Sequence, residues 1–410
     1  MNQNDRHIIR QLAAEVAEIA ALPIQEEKKA LWRRLNGLQP VRPLVMIDQV
    51  CWHEMNVDDE LTLRCEDAEC RQYEEQLRRT RYQWRHFPVD MVVEPLIRVP
   101  KAVRNTGFGF SGKERTLGDP KSGVVSHAYE NQFQTDADLD KITLPTVWHD
   151  TAETDRRLEV AHTLFDGILE VIPFGHQPVI TVWDPLSAWM GVENALYAIV
   201  DRPEFMKELV RRIIAWWMCE QDQLEAQGLL CHHQPLIHCT GAYTDALPAP
   251  GFDPDKPRLE DMWAAGLAQM LGTVSPEMYD EFEIEPCLPM FKRFGLIYYG
   301  CCDPLDRKMA QVRKIPNVRK ISMSPWVDEE LGASEIKGDY VFSRKPHPAM
   351  LAASEFSAER IREHLQTTVD ICARHGCPLE LILKDISTVN HQPQRLWTWA
   401  EIAMQIVEGS

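Results

Sequence analysis

FGLIYYGCCDP, residues 294–304, is an apolar run that ends in Gly300, two adjacent thiols and a carboxylate. A short, continuously apolar run closed by Gly and Pro reads as a strand buried on both faces. Cys301, Cys302 and Asp303 then fall at the strand's C-terminal tip, where soft and hard metal donors meet. In an extended chain, neighbours point to opposite sides, so one thiol binds while the other packs. The same two residues also read as small core side chains, since free Cys is among the most buried residue types.

Outward from this stretch, similar runs recur. They are PLVMID (43–48), DMVVEPLIRV (90–99), QPVITVWDP (177–185), QPLIHCTG (234–241), VRKISMSPW (318–326), DYVFSRKP (339–346) and PLELILKDIST (378–388). Helix-length segments at 203–229, 275–293, 304–314 and 354–375 separate the later ones. Strands alternating with helices make parallel βα units. Eight such strands point to an α/β fold of the (β/α)8 TIM-barrel type, with an open doubly wound sheet as the alternative. No Gly-x-Gly-x-x-Gly follows an early strand, and no P-loop signature is present.

Ile8, Leu12, Val16 and Ile19 recur at helical spacing, and ALWRRL continues the pattern after Pro23. The expected organisation is a helical segment over 1–40 and a barrel over 41–410. Insertions at about 51–89 and 101–150 follow the first two strands, where loops build or cover a barrel's active face.

The charge and cysteine content narrow the function classes. The 410 residues carry a net charge of −18 without a long basic run, which argues against nucleic acid and anionic membranes as partners. Eleven scattered cysteines fit a reducing cytoplasm better than a disulfide scaffold. No run of ~18 apolar residues appears, so no span is expected.

The chemistry of such a barrel lies at the strand C-termini. Those ends supply Asp48, Trp183-Asp184, His238-Cys239, Tyr299 and Cys301 to Asp303, with Glu94 inside the second strand. Further on come Trp326, Arg344-Lys345 and Lys384-Asp385. Lys384-Asp385 reads either as a strand-end salt bridge or as a substrate anchor beside a general acid or base. Arg344-Lys345 is a compact cationic pair suited to an anionic substrate group. His238 is either a hydrogen-bonded structural residue or a ligand. Cys231, His232 and His233 precede the fourth strand, at the opposite end of the barrel.

Thr273-Val274-Ser275-Pro276-Glu277-Met278 resembles the "SPEM" helix start of the uroporphyrinogen decarboxylase-like superfamily. The stretch from Phe282 to Pro304 resembles that family's helix and strand leading to a His-x-Cys-Gly motif. In the corrinoid- and zinc-linked methyltransferase branch, the motif's His and Cys bind zinc. Laid onto this chain, the Cys falls on Cys301, the His on Tyr299 and the Gly on Cys302, so one ligand carries over. Cys302, His238, Glu94 and Asp385 are the candidates to complete the set. The Arg-Gln-Ala-Gly-Arg loop of the decarboxylases is absent, since QVCWHEM follows the first strand.

The resemblance implies a (β/α)8 methyltransferase that moves a methyl group between a small methylated compound and a corrinoid protein or thiol. Asp385, Tyr299 and His238 are its expected catalytic residues. Trp183, Asp184, Trp326, Arg344, Lys345 and Lys384 are the expected substrate contacts. Zinc would sit on Cys301, Cys302 and His238, and the corrinoid would be carried by a partner protein. The rival readings are a metal-independent decarboxylase and a non-catalytic corrinoid or tetrapyrrole binder.

Overall fold

The computed structural model describes residues 1–118, 125–231 and 233–409; His232 lies outside the described residues. Helix α1 (Gln3–Ala20) starts where the Asn2 side chain accepts the Asp5 N–H at 2.8 Å. This satisfies one of the free donors of its first turn. Helix α2 (Ile24–Asn36) follows the break at Pro23. Helix α3 (Ala68–His86), capped by Asp67, fills much of the first expected insertion. Ile9, Leu12 and Val16 of α1 share a core with Leu77 of α3, Ile97 and Phe165. Within the second insertion, the hairpin of Glu114–Gly118 and Val125–Tyr129 is exposed along both strands. No helix among the described residues is long and apolar enough to cross a membrane.

The centre of the molecule is a seven-stranded parallel sheet. Its strands are β1 (Leu44–Ile47), β2 (Val179–Ile180), β3 (Trp263–Gly266), β4 (Leu296–Tyr299), β5 (Val318–Met323), β6 (Val341–Arg344) and β7 (Leu379–Leu383). Their spatial order is β1-β7-β6-β5-β4-β3-β2. Helices lie between successive strands, as parallel pairing requires.

Three expected strands differ from this arrangement. In the 90–99 run, Leu96–Pro100 pairs with Glu170–Phe174 outside the main sheet. The 234–241 run forms a two-residue antiparallel hairpin, Leu236–Ile237 against Thr240–Gly241, with His238 and Cys239 at its turn. Gly241 lies there against Trp32, where a Cβ would come within 2.5 Å of the indole. The place in the sheet goes to β3, whose Trp-Ala-Ala-Gly sequence lacks β-branched residues. The 177–185 run stops early, because Trp183 and Asp184 open the helix Trp183–Met190.

Alternation assigns each strand residue to one of two faces. Leu44, Met46, Trp263, Ala265, Leu296, Tyr298, Val341 and Ile382 pack with Trp32 and the 236–241 hairpin. We call this the hairpin face. Val45, Ile47, Ile297, Tyr299, Ile321, Phe342 and Leu381 pack against the helices.

The hairpin face also holds a buried ion pair, Lys320 to Glu380 at 2.7 Å, with both side chains fully buried. Thr240 donates to Glu380 at 2.7 Å and Ser343 at 2.5 Å, and Lys320 also reaches the Gly241 carbonyl at 2.9 Å. Hydrogen bonds on both ions offset the desolvation that such a pair costs. Lys320→Met strands the Glu380 carboxylate. Urea unfolding should show a loss of about 3–5 kcal/mol, most of it recovered in Lys320→Met/Glu380→Leu. Equal stability of the single variant and the parent would show that the pair carries no such constraint.

Candidate active site

Gly300 follows β4 with φ +93°, and a Cβ there would stand 2.5 Å from Leu305 Cδ1 and 3.1 Å from Ser322 Cβ. Only glycine meets both demands. The turn breaks strand alternation, so the thiols do not diverge as an extended chain would place them. The Cys301 and Cys302 Sγ atoms lie 3.6 Å apart. Asp303 Oδ1 accepts the Cys301 N–H at 2.9 Å, and Ser322 donates to the Cys301 carbonyl at 2.7 Å.

Lys384 follows β7 directly, on the hairpin face, with its side chain only 3% exposed. Its ammonium lies 3.2 Å from Cys301 Sγ, 3.9 Å from Cys302 Sγ and 3.0 Å from Asp385 Oδ2. Cys302 Sγ lies 3.5 Å from Asp385 Oδ2. His238 reaches Cys301 and Cys239 from the hairpin and stacks on Tyr298 with ring centroids 5.2 Å apart. The Cys302 hydrogen bond holds the Cys301 thiol far below its usual range; His238 and Lys384 reinforce this against burial. Cys302 is pushed up in turn. Burial lowers the His238 pKa, but its bonds to the two thiols outweigh this and raise it to about 9. At neutral pH the cluster is therefore a Cys301 thiolate between an ammonium and an imidazolium, with Cys302 a neutral thiol.

Left-handed backbone occurs at three non-glycine residues here: Gln49 (φ 51°), His238 (φ 54°) and Asp385 (φ 56°). Such conformations cost about 1–3 kcal/mol each and gather where side-chain placement matters. Gln49 ties its turn to that of Asp385, since its Oε1 accepts the Asp385 N–H at 3.3 Å and its carbonyl the Ile386 N–H at 3.3 Å.

The helix face carries a separate acid network. Tyr299 and Tyr279 hydroxyls are 2.7 Å apart. Tyr279 donates to Asp303 Oδ2 and Tyr299 to Glu283 Oε1, each at 3.2 Å, and the Trp183 indole N–H donates to Glu283 Oε2 at 3.1 Å. Burial pushes the Glu283 carboxyl up to about 8. Glu283 lies in the π-turn Asp280–Ile284, a distortion common near functional sites. Through Asp303, this network braces the turn that presents Cys301.

The expected site residues therefore divide. His238, Cys301, Cys302, Lys384 and Asp385 come together. Lys345 is buried nearby on the hairpin face, bonded to the Ser343 carbonyl and hydroxyl at 3.0 and 2.5 Å, 5.1 Å from the Tyr298 ring. Asp184 is half-buried and feels the charges of Cys301, Asp303 and His238. Tyr299, Trp183 and Arg344 do not join them. By strand parity, Arg344 turns to the helices, where it pairs with Glu329 at 2.5 Å. Trp326 is 67% exposed and, among the described residues, meets one ring, His347, edge-on. At the other end of the sheet, His233 bonds to Glu94 at 3.2 Å. Sequence reading missed Tyr279 and Glu283 as parts of a site. The one trace of Glu283 is a charge among apolar positions in FEIEP.

The zinc expectation rests on Cys301, Cys302 and His238. Among the described residues, no three His, Cys, Asp or Glu side chains converge as a ligand set. The Lys384 ammonium already occupies the cationic position between both sulfurs and Asp385, and it repels a dication there. The arrangement does not fit zinc.

No family model matches the chain, and no curated protein matches it in sequence. Its fold is similar to that of a methyltransferase from Methanosarcina mazei, which aligns over 93% of this chain and 98% of its own. The TM-score is 0.51 and the identity 8%, so the likeness is one of fold.

The thiolate assignment has a direct readout. Alkylation of the tryptic peptide 294–307 by iodoacetamide is followed by mass spectrometry. The Cys301 rate should be nearly flat from about pH 5 to about pH 8, where an unperturbed thiol (pKa about 8.5) rises several hundredfold. In Lys384→Met the profile should move upward in pH. A parent profile that rises like a free thiol's would remove the thiolate.

Proposed function

We propose that this chain is a methyltransferase in which Cys301 itself receives the methyl group. What supports this is the Cys301 thiolate held between Lys384 and His238. The Cys301 sulfur attacks the methyl carbon of a small methylated compound, forming the S–C bond as the bond to the donor heteroatom breaks. The heteroatom keeps the electron pair and takes the proton of His238. A thiol of low pKa is a weaker nucleophile but a better leaving group. That suits a carrier that must release the methyl group again, to an external thiol or to a corrinoid held by a partner protein. Lys384 stabilises the thiolate that reappears, and His238, left neutral by the first step, regains its proton from the acceptor thiol or from solvent. Asp385 orients Lys384 through their 3.0 Å ion pair.

We also propose that the sheet closes into a (β/α)8 barrel. The Asp90 N–H bonds to the Val45 carbonyl of β1 at 2.9 Å. The same segment then pairs, through Leu96–Pro100, with Glu170–Phe174, which leads into β2. The strip thus runs from one edge of the sheet to a strand that precedes the other edge in the chain. A barrel of this kind is what the superfamily resemblance implies.

One observation favours metal-independent decarboxylation as a second reading. The buried Lys345 ammonium has no carboxylate within ion-pair distance among the described residues. A substrate carboxylate would compensate it.

The two readings separate by experiment. Methyl iodide should place one methyl group on the 294–307 peptide at Cys301, and Cys301→Ser should abolish it. Added cob(I)alamin should then remove the label and gain the methyl group. Methylation spread evenly over the cysteines, or undiminished in Cys301→Ser, rules the carrier role out.

Metal removal gives a further check. Dialysis against EDTA should leave the rate of methyl uptake within about twofold of the parent, because an ammonium rather than a metal holds the thiolate. A tenfold or larger fall, restored by zinc, would reinstate the metal.

A further inference from the structure

Two cavities meet at Asp48, beside the thiolate cluster. One, of about 310 Å³, lies between β1, Trp32 of α2 and the inner side of α3. The other, of about 330 Å³, opens towards Trp52 and Arg79. Both are lined by Asp48, Gln76, Thr80 and Gln83. The last three recur at spacings of four and three, so one face of α3 presents two carboxamides and a hydroxyl across from Asp48.

The charges around this space nearly all cancel within the chain. Glu75 pairs with Arg79 at 2.5 Å, Asp90 with Arg42 at 2.6 Å, and Glu94 with Arg98 and with His233 at 3.2 Å. Arg79 also lies over the Trp52 ring at 5.0 Å. Asp48 is the exception. Among the described residues, no cation stands within ion-pair distance of it. His238 and Lys384 act on it only at longer range, because their contacts go to the thiols and Asp385. Met46 and Phe87 supply apolar wall. One uncompensated carboxylate in a partly buried space, faced by neutral polar groups and apolar surface, is complementary to a cation with an apolar body and unfavourable to an anion.

We propose that this space binds a small organic cation, a protonated or quaternary methylated amine, with Asp48 as its counter-ion. That the cation is the methyl donor rests on the methyl-transfer reading; that it binds does not. The position suits both, since a ligand held at Asp48 lies on the side of β1 that faces His238 and Lys384.

Isothermal titration calorimetry of the full chain with tetramethylammonium chloride tests the site, with sodium acetate as anionic comparator and sodium chloride as control. Tetramethylammonium should bind and acetate should not. Asp48→Asn, which keeps the shape and removes the charge, should weaken binding by at least about tenfold. Gln76→Lys, which puts an ammonium on the opposite wall, should abolish it. The Lys variant decides the matter alone if Asp48→Asn does not fold. Tetramethylammonium heat unchanged in either folded variant, acetate binding in its place, or no cation binding to the parent overturns the proposal. Cation binding that persists while Cys301 takes up no methyl group overturns methyl transfer and leaves this site standing.

Discussion

A single missing Cβ, at residue 300, sets the arrangement of the reactive groups. With φ +93° and Leu305 and Ser322 packed close, the chain turns sharply at the tip of β4. That turn cancels the strand's alternation and sets two consecutive sulfurs side by side. Lys384 and Asp385 can then address both thiols from the end of β7. Were the strand to continue extended, one thiol would face the helices and the cluster would lose one of its two sulfurs.

The two faces of the sheet are chemically distinct. The hairpin face carries fixed positive charge: Lys320 neutralised by Glu380, and Lys345 and Lys384 near thiols. The helix face carries hydroxyls and carboxyls whose protons burial retains. Tyr298 and Tyr299 are adjacent in sequence and belong to different systems. Asp303 joins them, taking a hydrogen bond from Tyr279 on one oxygen and from the Cys301 amide on the other.

Strand positions were legible where burial on both faces leaves an uninterrupted apolar run, as in PLVMID, FGLIYYG and PLELIL. The same property hid the rest. A strand covered on both sides shows no alternation, so nothing in LIYY says which tyrosine meets the thiols and nothing in VFSRK says that Arg344 turns away while Lys345 stays. Trp263–Gly266 was missed because Ala-Ala-Gly carries no strand preference. PLIHCTG has strand composition, but it folds back on itself to seat Gly241 on Trp32. Cys301, Lys384 and Asp385 could be picked out because thiols and charges at strand tips stand out in any register. Glu283 and Tyr279 could not, since their partners come from a distant strand and turn.

Leu44 of β1 pairs with Glu380 of β7, so this seam joins parts of the chain that are far apart in sequence. Closing so long a loop is entropically slow, and during synthesis β7 emerges long after β1. Lys384, Asp385 and the Gln49 turn all lie on the seam, whereas Cys301 sits on a strand made earlier. A nascent chain that has reached β4 but not β7 therefore carries Cys301 without its full charge environment, because the ammonium that helps hold it ionised is among the last parts to be fitted. Reactivity is in this sense a late product of assembly: the nucleophile is switched on by the same ladder that completes the fold.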